Sequence, residues 1–301
     1  MKENRFMNDY ENAIEISGLT KRYDGFTLDG VSMNVAKGSI MGFIGQNGAG
    51  KTTTIKSLLN IIKPDSGSVK LLGMDSVSDE LAIKERIAAV FDEIPFHDEF
   101  TAHNLNVILG DIFANWNSET FREYIERFSL PRKKKIGQLS KGMKMKLQIA
   151  CALSHGAELL IMDEATTGLD PVVRSEILDI FFEYIQNENH SILMSSHITS
   201  DLEKIADSVT FIDKGKILLS GYKDDILECH GVIKCGKSDL AGIDAADIVS
   251  ARINDFGADV MVSSKAACKA KYGKFVIDNT TLEEIMLFYV NASKSEKKEW
   301  R

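Results

Sequence analysis

No apolar run in this 301-residue chain approaches the ~18 residues that a membrane-spanning helix requires, and the opening segment MKENRFMNDYENAIEIS lacks the apolar core of a secretory signal. The chain is therefore expected to stay in the cytosol. It carries no surplus of positive charge. With 36 basic and 44 acidic side chains the net charge is −8, which argues against broad electrostatic binding to nucleic acid and leaves room only for a local basic stripe. There is no Cys-x-x-Cys pair either. Cys151, Cys229, Cys235 and Cys268 are read as free thiols, because a chain of this length needs no disulfide staples and Cys229-His230 with Cys235 is too small a ligand set for a metal. No repeat of solenoid or propeller period is visible. What is there is an ordinary globular composition, 44% hydrophobic, with enough material for one large domain or one domain plus a smaller partner.

Short apolar runs of strand length recur at Ile40 to Ile44, Leu159 to Met162, Ile192 to Met194 and Val209 to Ile212, alternating with helical patterns or turns. That alternation predicts an α/β fold with a largely parallel sheet. After Thr52, apolar residues at Ile55, Leu58, Leu59 and Ile62 form a helical stripe that is expected to end before Pro64. Lys63 to Gly67 then reads as a turn, with a strand resuming at Val69 to Leu72, and Asp213-Lys214-Gly215-Lys216 as a hairpin turn. From about Leu81 to Leu153 strand signals thin and helical ones dominate, including Ser118 to Phe128 with Asn117 as N-cap, so a helical subdomain is expected at about 93–153. The core domain is expected to span 12–222. A small C-terminal α+β appendage would occupy 223–301, with a closing helix near Leu282 to Val290 and a frayed charged end from Lys294 onward.

Gly45-Gln46-Asn47-Gly48-Ala49-Gly50-Lys51-Thr52 fits G-x-x-x-x-G-K-[ST] directly after a predicted strand and before a predicted helix. The glycines let the loop curl until its N–H groups point inward, and the helix adds its positive dipole end, so a polyphosphate is held by neutral donors. Lys51 reaches the β- and γ-phosphates, Thr52 offers a hydroxyl to Mg²⁺, and Thr53 joins the same cradle. The expected cofactors are ATP and Mg²⁺. Further on, Leu159 to Glu164 is a buried strand ending in two acids, a placement that core packing does not explain. Beside a phosphate loop, Asp163 takes the metal-holding role and Glu164 that of general base or water-polarising group, an effect typically worth ~10²- to 10⁴-fold in rate.

Leu139-Ser140-Lys141-Gly142-Met143 resembles the LSGGQ signature of ATP-binding cassette (ABC) proteins and begins 20 residues before Leu159. Ala165-Thr166-Thr167-Gly168-Leu169-Asp170 resembles the family's D-loop, Ser195-Ser196-His197 its switch histidine, and Tyr23 the aromatic that stacks on adenine. With the phosphate loop and the acidic strand end, six matched elements stand in family order within about residues 14–222. The resemblance implies a P-loop nucleotide hydrolase fold with an inserted helical subdomain. It implies that His197 contacts the γ-phosphate and holds the attacking water, that Asp170 crosses a dimer interface, and that Ser140 and Gly142 bind the γ-phosphate of a second subunit. As a helix N-cap, Ser140 would in any case open a helix with free N–H groups, its buried stripe formed by Met143, Leu147, Ala150 and Cys151.

The chain departs from the family at several positions. Asp92 stands where family members place a glutamine that touches Mg²⁺ or the lytic water; an aspartate can ligate Mg²⁺ but adds a negative charge. Lys141 replaces a signature glycine, Met143 its glutamine, and Ala165 a common proline. Ser-Lys-Gly-Met, the acidic Asp92 loop and Asn115-Trp116-Asn117 together look most like the exporter-associated branch. The resemblance thus implies an ATPase subunit, paired with an identical or paralogous copy, that drives a separate integral-membrane permease from the inner face of the cell membrane, with export as the direction and no nucleic acid as partner. The competing reading is a non-transport ABC ATPase acting on ribosomes or nucleic acid. Against it stand a single phosphate loop, acidic net charge, and only 89 residues from Lys51 to Ser140, too few for a long coiled-coil insertion. A small-molecule kinase would give no reason for the Ser140 segment or His197. The basic run Arg132 to Lys135, with Lys141, Lys144 and Lys146, reads equally as a solvated face or as an attractor of phosphate or membrane-side charge. The other histidines, His97, His103, His155, His190 and His230, read as surface or packing residues.

Overall fold

The structure, a computed structural model, describes residues 10–294. It opens with two long antiparallel strands, β1 (Asn12–Tyr23) and β2 (Phe26–Ala36), followed by β3 (Ile40–Ile44), the phosphate loop and helix α1 (Lys51–Leu58). Strands β4 (Ser66–Leu71) and β5 (Met74–Asp75) complete a four-stranded antiparallel sheet in the order β2-β1-β4-β5. This sheet was not expected. Register shifts along β1 between Ile16 and Leu19 and between Leu19 and Lys21 break the period-2 alternation by which a strand announces itself.

The central sheet is the expected parallel one, with an edge. After α2 (Glu80–Lys84) comes β6 (Ile87–Phe91), and after the helical segment come β7 (Leu159–Asp163), α6 (Pro171–Tyr184), β8 (Ser191–Ser196), α7 (Thr199–Ile205), β9 (Ser208–Asp213) and β10 (Lys216–Tyr222); the helical segment itself holds α3 (Ala102–Ile112), α4 (Ser118–Arg127) and α5 (Lys141–Ser154). Sheet order is β10-β9-β3-β8-β7-β6, parallel throughout except for the β9–β10 hairpin. β3, β7 and β8 are buried along their whole length, as a sheet covered on both faces demands. Two features correct the expectation. β6 lies inside the stretch read as helical, because Ile87-Ala88-Ala89-Val90-Phe91 is short and alanine-rich. And α1 ends before Pro64 as expected, but already at Leu58, short of Ile62: Asn60 takes φ +57°, the Asn60 and Ile61 N–H groups return to the Ser57 and Lys56 carbonyls, and Asn60 Nδ2 donates to the Ser76 carbonyl. That is a Schellman-type stop made with asparagine instead of glycine. Ile55 and Leu58 are buried, Leu59 and Ile62 only half so.

Other local readings match. Asn117 caps α4 by accepting from the Glu119 and Thr120 N–H groups, and Lys214 and Gly215, both at positive φ, form the β9–β10 turn. After α8 (Lys223–Cys229), strands β11 (Gly231–Cys235), β12 (Ile248–Ile253), β13 (Ala258–Val262) and β14 (Ile277–Asp278) form a separate antiparallel sheet in the order β12-β13-β11-β14, with α9 (Lys265–Lys271) against it. The closing helix α10 (Leu282–Lys294) then returns to the larger body. Its Leu282, Ile285, Phe288 and Val290 are buried in the same apolar cluster as Leu202 and Phe211, the Leu282 N–H donates to Glu203, and the Ser293 hydroxyl donates to Asp213. Apart from Lys294 itself, the charged end expected to fray lies outside the described residues. All four cysteines are free.

Candidate functional site

Parallel register brings the carboxyl ends of four strands to one level. Phe91 of β6 pairs with Asp163 of β7, Asp163 with Ser195 of β8, and Ser195 with Phe43 of β3. The next residues along those strands lead to Asp92, Glu164, His197 and the phosphate loop. This is the crevice outside the strand ends where open α/β sheets carry their ligands.

The loop itself is tightly specified. A Cβ on Gly45 would lie 2.5 Å from the Ile212 carbonyl oxygen, and Gly50, the α1 N-cap at φ +116°, packs under Phe26. Because Gly50 has no side chain and the first turn of α1 holds no acid, the N–H groups at that helix end are left for an anion. Gln46, Asn47 and Gly48 are exposed along the rim, as is Thr52, while Ala49 is buried and Thr53 half-buried. Tyr23 ends β1 opposite Phe26, the ring that packs on Gly50, and is itself 44% exposed with Lys21 Nζ 5.8 Å from its ring centre.

Lys51 is buried, 5% exposed, and folded back over the loop. Its Nζ donates to the carbonyls of Gly45 at 2.6 Å and Gln46 at 3.3 Å and lies 3.0 Å from Glu164 Oε1. Glu164 Oε2 accepts from the Thr167 hydroxyl at 2.6 Å and lies 2.8 Å from His197 Nδ1. An ionised carboxylate only accepts, so Nδ1 carries the hydrogen and Nε2 is left for another partner. Burial works to raise the Glu164 carboxyl, but the Thr167 hydroxyl, the Lys51 ammonium and the His197 ring outweigh it and hold the group below the ordinary carboxylate range. Glu164 also sits at φ +56°, a left-handed conformation costing a non-glycine residue about 1–2 kcal/mol. Its N–H donates to both the carbonyl and the hydroxyl of Ser195, and that hydroxyl donates to Asp163 Oδ1 at 2.6 Å. One serine therefore positions both acids.

A pH prediction follows. Because the folded carboxyl of Glu164 titrates below its unfolded value near about 4.3, its stabilising contribution is complete above that pH and is lost as pH falls through the lower folded value. Urea midpoints of the parent and of Glu164→Gln, measured across the acid range, should converge as pH drops; a pH-independent difference would contradict the assignment.

The remaining predicted residues gather elsewhere. Ser140 caps α5 by accepting from the Met143 N–H, and Asp170 caps α6 by accepting from the Val172 and Val173 N–H groups. Ser140, Gly142, Gly168 and Asp170 line one surface concavity, whose lining includes no residue of the phosphate loop. Asp92, expected near Mg²⁺, has its Oδ1 2.5 Å from Lys141 Nζ. Among the described residues no three His, Cys, Asp or Glu side chains converge as a ready metal cage.

Residues 28–167 match the family model described as ABC transporter. The bacitracin transport ATP-binding protein BcrA of Bacillus licheniformis is 38% identical over 208 residues, 68% of this chain and 68% of that protein. The chain belongs to the ABC transporter family. This ABC transporter chain is also 33% identical over 205 residues to the ATP-binding protein NatA of Bacillus subtilis, covering 66% of this chain and 82% of NatA. Over 225 residues it is 32% identical to the daunorubicin/doxorubicin resistance ATP-binding protein DrrA of Streptomyces peucetius, covering 73% and 68%. A solved ATP-binding subunit of an ABC transporter superposes with a TM-score of 0.65 at 26% identity, covering 71% of this chain and 91% of that one. The chain is thus an ATP-binding, ATP-hydrolysing transporter subunit, and its α/β core is the P-loop cassette fold. No helix among its described residues is long and apolar enough to cross a membrane.

Several residues that organise this ABC transporter site were not singled out from the sequence. Ser195 and Thr167 lie inside quoted motifs, but their roles depend on which strand ends meet. Gln148, buried on α5, accepts from the Phe91 N–H and donates to the Phe91 carbonyl, clamping the end of β6. Arg174 donates to the Leu169 carbonyl and faces the buried Asp201 of α7 at 3.7 Å, joining the loop before α6 to the helix after His197. A glutamine or arginine within an amphipathic helix gives no sign of such a partner in advance.

Proposed function

We propose that this subunit works as one of a pair, each copy presenting its phosphate loop to the partner's Ser140 end of α5, so that two ATP molecules are enclosed between them and hydrolysis reopens the pair. The observation that carries the reading is the division of the site residues. Lys51, Glu164, Asp163 and His197 form one cluster, whereas Ser140, Gly142 and Asp170 line a separate concavity with none of the phosphate loop. A second copy supplies what each half lacks.

Within the first cluster, Gly45 to Thr53 cradle the triphosphate, Lys51 meets the β- and γ-phosphates, and Tyr23 faces the adenine. Glu164 orients and deprotonates the attacking water, with His197 Nε2 turned toward the γ-phosphate. The donors available to a cation are oxygens, from Thr52 and Asp163, which suits Mg²⁺; that ion keeps most of its shell as water and substrate phosphate and so needs no protein cage. Asp92 is paired with Lys141 and is given no part in this set. When bound it neutralises charge on the β- and γ-oxygens.

The partner membrane protein is proposed to be a separate chain. It would dock at the apolar groove of about 460 Å³ lined by Phe91, Pro95, Phe96, Leu109, Phe113 and Trp116, where the end of β6 meets the helical segment. Residues 12–222 make the ATPase domain, with its helical subdomain at about 93–153, and 223–301 the accessory domain. Export is the direction that accords with relatives named for bacitracin transport and for daunorubicin/doxorubicin resistance, and the subunit then sits on the inner face of the cell membrane through its permease. With Mg²⁺ and a non-hydrolysable ATP analogue, the purified subunit together with its co-purified membrane protein should pass from open to closed ATPase pairs, read as a cross-link between Ser140 of one copy and Gly48 of the other. Saturating nucleotide without any such cross-link defeats the paired reading.

A further inference from the structure

Three carboxylates stand at adjacent strand ends beside the ATP site, and two have partners within the cluster described above. Glu164 faces Lys51, the Thr167 hydroxyl and His197, and Asp163 accepts from Ser195. Asp92, one residue past the Phe91–Asp163 pairing, has Lys141 Nζ at 2.5 Å. Lys141 is a strange residue for its position. It opens α5, where the helix dipole disfavours a cation, and no acid of its own first turn compensates it. Its Nζ also lies beside the turn at Gly168, which sits at φ +71°: a Cβ there would be 3.1 Å away. Gln148 of the same helix clamps the Phe91 backbone through both its N–H and its carbonyl, which ties α5 to the end of β6 that leads to Asp92.

We propose that Lys141 is a positioning residue for Asp92: it neutralises the third carboxylate at the mouth of the ATP site and holds it against the Ser140 end of α5, so that nucleotide phosphates meet a balanced strand end. The proposal rests on the ATP-site reading above. The acid at the strand end and the base at the helix start are paired in this chain. Both side chains are 45% exposed, so the pair can open and re-form as α5 moves, and neither variant threatens the core.

The test is a cycle of Lys141→Ala, Asp92→Asn and the double variant in the full chain, read as affinity for ATP with Mg²⁺. Lys141→Ala leaves Asp92 uncompensated beside the phosphates and should weaken affinity by up to about fivefold, the scale of a half-exposed ion pair. The double variant should regain parental affinity within about twofold, Lys141→Arg should keep it, and the loss in Lys141→Ala should shrink at high salt. A Lys141→Ala protein that binds like the parent, or a double variant as weak as Lys141→Ala, overturns the proposal. If the parent itself bound no ATP, the ATP-site reading would be what failed; the same cycle on urea midpoints without nucleotide would still read the pair, and strict additivity there overturns it.

Discussion

Glu164→Gln should bind ATP at least as tightly as the parent and hydrolyse it about 10²- to 10⁴-fold more slowly, the range expected when a positioned base is removed. The amide keeps the shape of the carboxylate and still accepts from the Thr167 hydroxyl and His197. What it loses is the charge, and with it two things at once. It can no longer take a proton from water, and it no longer competes with phosphate for Lys51, which lies 3.0 Å from Glu164 Oε1. Release of Lys51 favours binding while loss of the base stops chemistry, so affinity and turnover should move in opposite directions. Equilibrium titration with ATP and single-turnover phosphate release measure the two separately. Hydrolysis at the parental rate would remove Glu164 from its role.

Lys51→Ala should lose most of its ATP affinity. A hydrogen bond to a charged group contributes about 1.5–3 kcal/mol, so losing this one weakens binding roughly 10- to 150-fold. The lysine is 5% exposed and already turned inward over the loop, so its charge is pre-placed where the phosphates arrive, and a surface lysine elsewhere cannot substitute. Its ammonium donates to the Gly45 and Gln46 carbonyls and is ion-paired with Glu164; the binding step is an exchange of two carbonyls and a carboxylate for phosphate oxygens. Titration with a fluorescent ATP analogue reads the loss directly, and parental affinity in this variant would be inconsistent with the cradle.

The parts of the site legible in the sequence were those whose chemistry is local. The phosphate loop, the acid pair ending a buried run and the capping residues Asn117 and Ser140 each carry their reason within a few neighbours. Illegible were the parts made by register. Nothing near Ser195 says that its hydroxyl will reach Asp163 one strand over, or that its carbonyl will hold Glu164 at positive φ. The stop at Asn60 was missed because asparagine can do what glycine usually does there, and Ile87 to Phe91 because five residues with two alanines satisfy either period. Asp92 and Lys141 were each visible as oddities. That they are one feature depends on α5 lying against the end of β6.

Helix α10 changes what a boundary means in this protein. The sheet of β11 to β14 is not hydrogen-bonded to the central one, yet the chain does not leave the ATPase body at Tyr222: sixty residues later it comes back and lays Leu282, Ile285 and Phe288 against α7, the helix that directly follows His197. The C-terminal segment is therefore a splint on the hydrolytic machinery as well as a separate unit. Cutting the chain after Tyr222 would bare an apolar flank beside His197 and leave the Glu203 and Asp213 carboxylates without the groups that bond them, and whatever pulls on the small sheet pulls, through α10, on the same helix.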